Sequence, residues 1–341
     1  MRLLLIVLIA MVIAACEKEP QVVDDATPPE LGEDGSILVL NEGLFRRGNG
    51  SVSVYDTTLR TVVHAAATRT GGREIDVLQS ALVLNDSLLL VVSNNTNELI
   101  LFDRATLKET RSFRGSGSPR YAVLIGATKI LVSDLYAGQL LELDWATGAR
   151  DSLRFSGQSE QMIRVSDAVY VCGPEAAALF QYSIREGELV DSLQLGYPVT
   201  AIAQSPSPEG LQFVLAAGVA SSADQGAIQV IDWTTKVVAN TLLLDQEASS
   251  LYPRVSVAHN RVLVLHRGLY AVDSAGDITV LDTDLGLAQP YALGVDPAHG
   301  DIYVGDAGSL FSGAGTVVRY SSTLSALDTF EAGVLPGGFV F

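Results

Sequence analysis

Seven short segments, each closing on Asp or Ser, recur along this chain at nearly constant spacing. They are Ser51-Val-Ser-Val-Tyr-Asp56, Glu98-Leu-Ile-Leu-Phe-Asp103, Gln139-Leu-Leu-Glu-Leu-Asp144, Ala178-Leu-Phe-Gln-Tyr-Ser183, Ala227-Ile-Gln-Val-Ile-Asp232, Gly268-Leu-Tyr-Ala-Val-Asp273 and Thr316-Val-Val-Arg-Tyr-Ser321. The steps between their last residues are 47, 41, 39, 49, 41 and 48. A period of this size means that one supersecondary unit is being repeated, because a single unit cannot bury its own apolar face.

Three further runs accompany each segment. A more apolar run lies about ten residues before it (Ile37–Leu40, Leu88–Val92, Lys129–Val132, Ala168–Val171, Leu211–Leu215, Arg261–Leu265, Asp301–Val304). A third run follows it (Thr61–Ala67, Glu109–Phe113, Ala149–Phe155, Leu189–Leu195, Val237–Leu244, Asp277–Leu281, Ala326–Phe330). A leading run precedes each unit, often just after proline (Ile75–Val83, Pro119–Ile125, Met162–Val165, Pro198–Ala203, Pro253–Ala258, Pro290–Val295, Pro336–Phe341). The first unit lacks a leading run before Ile37, and the last leading run has no unit after it. Phe339-Val340-Phe341 therefore reads as the missing strand of the first unit. The expectation is an all-β, seven-bladed β-propeller with four antiparallel strands per blade, over 36–341, the first blade closed by the C-terminal strand. A pair of β-sandwiches would explain neither the constant step nor the terminal strand.

The chain starts with an address. Met1-Arg2 is a short basic start, and Leu3–Ala15 is an apolar run of 13 residues. That is short of the roughly 20 residues a spanning helix needs, but fits a signal-peptide core. Ile13-Ala14-Ala15-Cys16 matches a lipobox, in which the Cys is diacylated and becomes the new N-terminus. Residues 1–15 are thus expected to be a signal peptide, with Cys16 carrying lipid; an ordinary secretory signal with an incidental Cys is the plainer alternative. Residues 16–35 hold seven acids, one base and three prolines, so they should form an extended, mobile tether. Only Cys172 remains in the mature chain, which leaves no internal disulfide to form.

Charge narrows the partners. With 22 Lys+Arg against 39 Asp+Glu the net charge is -17, and no basic run is present to neutralise phosphates, which argues against nucleic-acid binding. The four histidines (His64, His259, His266, His299) lack H-x-x-x-H spacing and a Cys partner, and no G-x-S-x-G or P-loop occurs, so neither a catalytic set nor a metal site is expected. Asp56, Asp103, Asp144 and Asp232 open turns with Thr close behind, where a carboxylate accepts backbone N–H bonds. Asp296, Asp301 and Asp306 look like a cluster, but strand order puts the third on the opposite rim.

Strand order also says where function would sit. Loops joining second to third strands, and links joining one blade to the next, share one rim, and loops carry function. On that rim the candidate ligand-binding residues are Asn41, Arg47, Asn94, Arg120, Tyr121, Tyr136, Glu160, Arg254 and Tyr291. Aromatic faces offer contact area and Arg offers a bidentate fork to a phosphate, which suits a large polar ligand.

Turns such as Asp103-Arg-Ala-Thr106, Asp144-Trp-Ala-Thr147-Gly148 and Asp232-Trp-Thr-Thr235 resemble those of YncE-like propellers. Leu40-Asn-Glu-Gly43, Asp76-Val-Leu-Gln-Ser80, Ser118-Pro-Arg-Tyr121, Ser133-Asp-Leu-Tyr136, Asp296-Pro-Ala-His-Gly-Asp-Ile-Tyr303 and Pro336-Gly-Gly-Phe339 resemble a lipoprotein branch of Bacteroidota that includes BtuG-type cobalamin-binding propellers. Glu17-Lys18-Glu19 after Cys16 is similar to the acidic export signal of surface lipoproteins there; a periplasm-facing spacer is the alternative. The resemblance implies an outer-membrane surface lipoprotein that captures cobalamin or a related nutrient and works with a BtuB-like TonB-dependent transporter. It implies no cofactor beyond that candidate ligand. A channel-mouth hydrolase or lyase, of the kind seen in propeller lactonases, and a protein-interaction scaffold are the readings from other classes. If Cys16 is the anchor, Cys16→Ala abolishes acyl labelling and leaves unprocessed precursor; normal processing at another site would exclude the lipobox.

Overall fold

Runs such as Leu88-Leu-Leu-Val-Val-Ser93 and Arg261-Val-Leu-Val-Leu-His266 are apolar on both faces, and both form middle strands whose residues are almost all buried. A strand covered on both sides needs no alternation. The structure, a computed structural model, describes residues 21–22, 35–207, 210–218, 225–250, 252–308 and 313–341. The signal segment, Cys16 and most of the tether lie outside the described residues, as do parts of the loops after residues 218 and 308.

Seven sheets form the seven blades of a propeller. Blade 2 shows the plan, with antiparallel strands Leu78–Asn85, Leu88–Ser93, Glu98–Asp103 and Glu109–Arg114 from the inner to the outer edge. Blades 3 to 7 repeat it, with inner strands Pro119–Leu124, Met162–Val165, Val199–Gln204, Arg254–Ala258 and Pro290–Val295. Outer strands are exposed; Arg150–Arg154 of blade 3 buries none of its residues fully. The core lies between blades. Leu90 and Leu101 of blade 2, for example, meet Ile130 and Leu143 of blade 3.

Most strand boundaries fall within two residues of the sequence expectation, and two differ by more. The inner strand of blade 2 begins at Leu78 rather than Ile75, because Val77 takes a φ of 54° and turns the chain before it. The outer strand of blade 1 spans Thr61–Val63 and not Thr61–Ala67, since Ala65 at φ 48° bends away. The tether expectation also gives way locally: Gln21–Val22 pairs in parallel with Thr61–Val63 and becomes the outermost strand of blade 1. An outer strand exposes a row of unpaired backbone groups, which an extended segment can cap.

Blade 1 is closed as the repeat predicts. Pro336–Val340 is its inner strand, antiparallel to Ser36–Asn41, with Leu38 opposite Val340 and Val39 opposite Phe339. Glu42 N–H and Gly43 N–H donate to the carbonyls of Leu335 (2.8 Å) and Val334 (3.0 Å). Phe339 and Phe341 pack against Tyr303 of blade 7, with ring centroids 5.9 and 5.6 Å away. A second tie runs along the outer side, where Tyr55 of blade 1 stacks on Phe330 of blade 7 at 4.0 Å and its hydroxyl donates to Asp328. Arg60 holds the same carboxylate through Nε at 3.0 Å and Nη2 at 2.5 Å. Deleting Leu335–Phe341 removes a strand and two aromatic contacts against a total stability of about 5–15 kcal/mol. The truncated propeller is expected to unfold or aggregate, and an unchanged melting temperature would exclude closure by this strand.

Candidate functional site

A bulge recurs at one end of the inner strands. In blades 1, 2, 3, 5 and 7 the ladder between the inner strand and its neighbour carries one extra residue just after its first pair. The displaced positions are Gly337, Gln79, the Arg120–Tyr121 pair, Thr200 and Tyr291. A bulge bends the strand and re-aims its side chain. Here it gathers side chains from separate blades at one mouth of the channel.

Their contacts form a ladder of charges. Arg120 Nε donates to both oxygens of Glu160, at 3.2 and 3.0 Å, and its Nη1 donates to the Gln79 side-chain carbonyl. Gln79 Nε2 in turn donates to the Tyr121 hydroxyl at 3.4 Å. Across the mouth, the Tyr291 hydroxyl donates to Glu42 Oε2 at 2.7 Å, and Arg254 lies 3.6 Å from Glu42 Oε1. The Arg254 guanidinium stands 5.2 Å from the Tyr291 ring centre. Gly337 is needed beneath this group, because a Cβ there would sit 2.7 Å from the Glu42 side chain.

Electrostatics follow from the packing. Burial pushes the Glu42 carboxyl above its usual range, although Arg254 and the Tyr291 hydrogen bond oppose that shift. Burial pulls the Arg120 guanidinium down, but the Glu160 carboxylate together with Tyr121 and Glu42 outweighs it and fixes the positive charge. Two Arg and two Glu balance. Arg120 is therefore not a free fork for a phosphate, as the sequence suggested; its side chain is 11% exposed and already paired.

Two adjoining hollows open over this floor. One, of about 280 Å³, is lined by Arg120, Tyr121, Tyr136, Glu160, Tyr252 and Arg254, among others. The other, of about 540 Å³, is lined by Phe45, Gln79, Asn94, Asn95, Asn97, Tyr136, Tyr252 and Tyr291, among others. Phe45 (60%), Tyr136 (76%) and Tyr252 (44%) are the strongly exposed aromatic side chains of the described residues, and all three stand at this mouth. Their loops are held by buried carboxylates. Asp134 accepts the backbone N–H groups of Ser118 and Tyr136, both at 2.7 Å, and Asp76 accepts Arg46 N–H at 3.1 Å and Asn95 Nδ2 at 2.6 Å.

Seven of the nine residues expected from sequence thus line a hollow: Asn94, Arg120, Tyr121, Tyr136, Glu160, Arg254 and Tyr291. Asn94 also ties blade 2 to blade 3 through the Pro119 carbonyl at 3.0 Å. Asn41 and Arg47 line neither hollow. The Asn41 amide is fully buried, donating to Ser51 and Ser53 and accepting Gly333 N–H at 2.9 Å, so it secures the closure. Arg47 is exposed. Glu42, Phe45 and Gln79 were not singled out from sequence, and Tyr252, which strand order places in a blade-to-blade link on this rim, was not among the nine. Glu42 and Gln79 nonetheless sit inside the segments Leu40-Asn-Glu-Gly43 and Asp76-Val-Leu-Gln-Ser80.

The remaining groups do not converge. His266 is buried at the end of a middle strand, accepts Ser250 N–H at 3.1 Å, and is held neutral because burial pushes its pKa down to about 4. His299 pairs with Asp296 at 2.7 Å on the far rim, where Asp301 binds Arg319; Asp306 instead accepts Ala288 and Gln289 N–H. Among the described residues no group of three His, Cys, Asp or Glu could hold a metal ion. The turn aspartates behave as expected: Asp56 Oδ1, for instance, accepts Thr58 and Leu59 N–H, both at 2.8 Å.

Removing one partner of the Arg120–Glu160 pair leaves a largely desolvated charge. Arg120→Met is expected to lower unfolding free energy by roughly 3 kcal/mol, and the double variant Arg120→Met/Glu160→Gln by less. Urea unfolding of both reads the difference.

No curated protein matches the chain. Solved structures match by fold. Hydrazine synthase of Kuenenia stuttgartiensis is 13% identical, with a TM-score of 0.63, over 79% of this chain and 91% of that one. A Lactobacillus plantarum protein is 16% identical, with a TM-score of 0.67, over 89% and 98%. A quinonprotein alcohol dehydrogenase-like protein of Bacteroides thetaiotaomicron is 14% identical, with a TM-score of 0.64, over 90% and 78%. Enzymes are thus among the proteins that share this propeller. Residues 34–249, more than half the chain, match one family model, and the protein belongs to the family described as Domain of unknown function (DUF5074).

Proposed function

We propose that the protein is an outer-membrane, surface-anchored lipoprotein that captures a large polar nutrient at its channel mouth, with cobalamin the leading ligand and a TonB-dependent transporter of the BtuB type as the partner. One observation carries the reading: the exposed rings of Phe45, Tyr136 and Tyr252 stand around amide-lined hollows over a floor whose charges are already paired. Exposed aromatic rings in a concave, polar-rimmed site provide area for a ligand with apolar faces, and the Asn amides offer donors and acceptors to its polar edges. A neutral floor favours hydrogen bonding and flat contact over bulk charge attraction, so the net charge of -17 is no obstacle. The resemblance to YncE-like lipoproteins supports the ligand class, and the lipobox at Cys16 supports the anchor.

A second reading, a hydrolase or lyase, has one observation in its favour. Glu42, with its raised pKa and its Tyr291 partner, borders the larger hollow, and a perturbed carboxyl in a cleft is a candidate acid or base. Turnover of lactone substrates that is lost in Glu42→Gln would favour it.

Calorimetric titration of the soluble domain with cyanocobalamin separates the two. Binding at micromolar concentration or tighter is expected, and Tyr136→Ala with Tyr252→Ala should weaken it by at least ~2 kcal/mol, about thirtyfold. No binding at micromolar concentrations would remove cobalamin as the ligand.

A further inference from the structure

The floor of the mouth balances in total but not hollow by hollow. Among the described residues, the larger hollow is lined by two charged side chains, Glu42 and Arg120. The smaller one is lined by three, Arg120, Glu160 and Arg254. Two positive charges face one negative there, in a chain of net charge -17. Arg120 and Glu160 hold each other, because Arg120 Nε donates to both carboxylate oxygens. Arg254 is left with the surplus.

Its hydrogen bonding is equally thin. A guanidinium carries five N–H donors. Among the described residues, Arg254 uses Nη1 alone, in a bond of 3.4 Å to the carbonyl of Pro253. Nη2 stands 3.6 Å from Glu42 Oε1, which is an ion pair but too long for a hydrogen bond. Glu42 borders the other hollow, and its Oε2 is taken by the Tyr291 hydroxyl. The Arg254 side chain is only 16% exposed, and the low dielectric around it strengthens any bond that an anion makes to it.

A second polar group stands beside it. Thr200, the residue displaced by the bulge of blade 5, lines the same hollow. Its hydroxyl is buried and has no hydrogen-bond partner among the described residues. Turning it about the Cα–Cβ bond therefore breaks no bond and offers a donor to an anion in the hollow. Thr200 and Arg254 come from the inner strands of blades 5 and 6, which pack side by side in the ring. Tyr136 and Tyr252 line both hollows, so one molecule can lie across them with an end in each.

We propose that the smaller hollow is an oxyanion subsite, in which the Arg254 fork and the Thr200 hydroxyl take the carboxylate or phosphate ester of a larger ligand whose body lies across Tyr136 and Tyr252 into the charge-balanced hollow. A planar fork matches either group. The subsite deepens the reading of the mouth as a ligand site and rests on it. It gives the ligand a charge and a direction, with the anionic end towards blades 5 and 6 and the other end on the amides of blade 2.

The test uses residues 17–341 in water, a stretch that holds every described residue, and three probes of similar size: phenyl phosphate, benzoate and benzyl alcohol. Each has a ring for the tyrosines, and only the first two carry an oxyanion at neutral pH. NMR titration gives the dissociation constants. At least one anion is expected to bind about tenfold more tightly than the alcohol, the gain from a charge-assisted pair. The tighter anion identifies the group as phosphate ester or carboxylate. Arg254→Gln is expected to bring the anions to the affinity of the alcohol, and Arg254→Lys to keep part of the preference. Thr200→Val removes an unpartnered hydroxyl and no bond; it is expected to weaken the preferred anion about threefold and leave the alcohol unchanged. Equal affinities in the unaltered chain overturn the subsite, as does binding of none of the three at millimolar concentration, and both leave the mouth itself to the cyanocobalamin titration. A preference that survives Arg254→Gln overturns Arg254 as the recognising group. Should that variant unfold, Thr200→Val decides: anion binding that it does not weaken overturns the placing of the anion between blades 5 and 6.

Discussion

The ladder between Pro336–Val340 and Ser36–Asn41 is the bond on which the ring depends. Each of the other six blades is built from one continuous stretch of chain, whereas blade 1 holds its terminal strand to its remaining strands by pairing rather than by a chain link. Side chains add to the seam between the first and last blades: Tyr55, Phe330, Asp328 and Arg60 on the outer side, Tyr303 with Phe339 and Phe341 within, and Tyr291 with Glu42 at the mouth. Among the described residues no disulfide shares the load, since Cys172 is a buried free thiol. Contacts so far apart in sequence form only after a large loop has closed, so the closure is also the step with the greatest entropic cost.

The same seam reaches the functional mouth. Glu42 follows the strand that pairs with the C-terminus, and its side chain lies over Gly337 in that terminal strand. It then receives the Tyr291 hydroxyl from blade 7 and faces Arg254 from blade 6. Closing the ring therefore also assembles half of the floor. The other half, Gln79, Arg120 and Glu160, comes from blades 2 to 4 and is built without the seam. Cross-blade ion pairs of this kind gain little net stability over apolar packing, but they fix geometry, because a misplaced partner leaves a buried charge.

Much of the architecture was legible in the sequence, for a physical reason. Middle strands buried on both faces must be continuous apolar runs, and the aspartates that end the third strands announce their turns, so blades could be counted without knowing how they packed. Where the boundaries moved, at Val77 and Ala65, the cause was a non-glycine residue with positive φ, which sequence does not announce. The mouth was legible by segment rather than by residue. Its rim was identified from strand order, and Arg120, Tyr121 and Tyr136 lie where that order put them. Asn41 and Arg47 drew attention through side-chain chemistry, yet a buried amide bonded to Ser51, Ser53 and Gly333 is closure hardware, and Glu42 beside it carries the contacts to Tyr291 and Arg254. The pairing of Arg120 with Glu160 was equally hidden, because it joins residues 40 apart across two blades.

The recurrent bulge separates two jobs that a β-sheet normally forces on the same residue. Gln79, Thr200, Tyr291 and Gly337 are extra to the ladder, so none has a cross-strand residue directly opposite to match. Gly337 is fixed by the Glu42 side chain above it, but a change of side chain at Gln79, Thr200 or Tyr291 alters what the mouth presents while leaving the strand register intact. The scaffold can thus be held constant while its binding chemistry is rewritten one blade at a time, and divergence within such a lineage would concentrate at these few positions before it touched the blades.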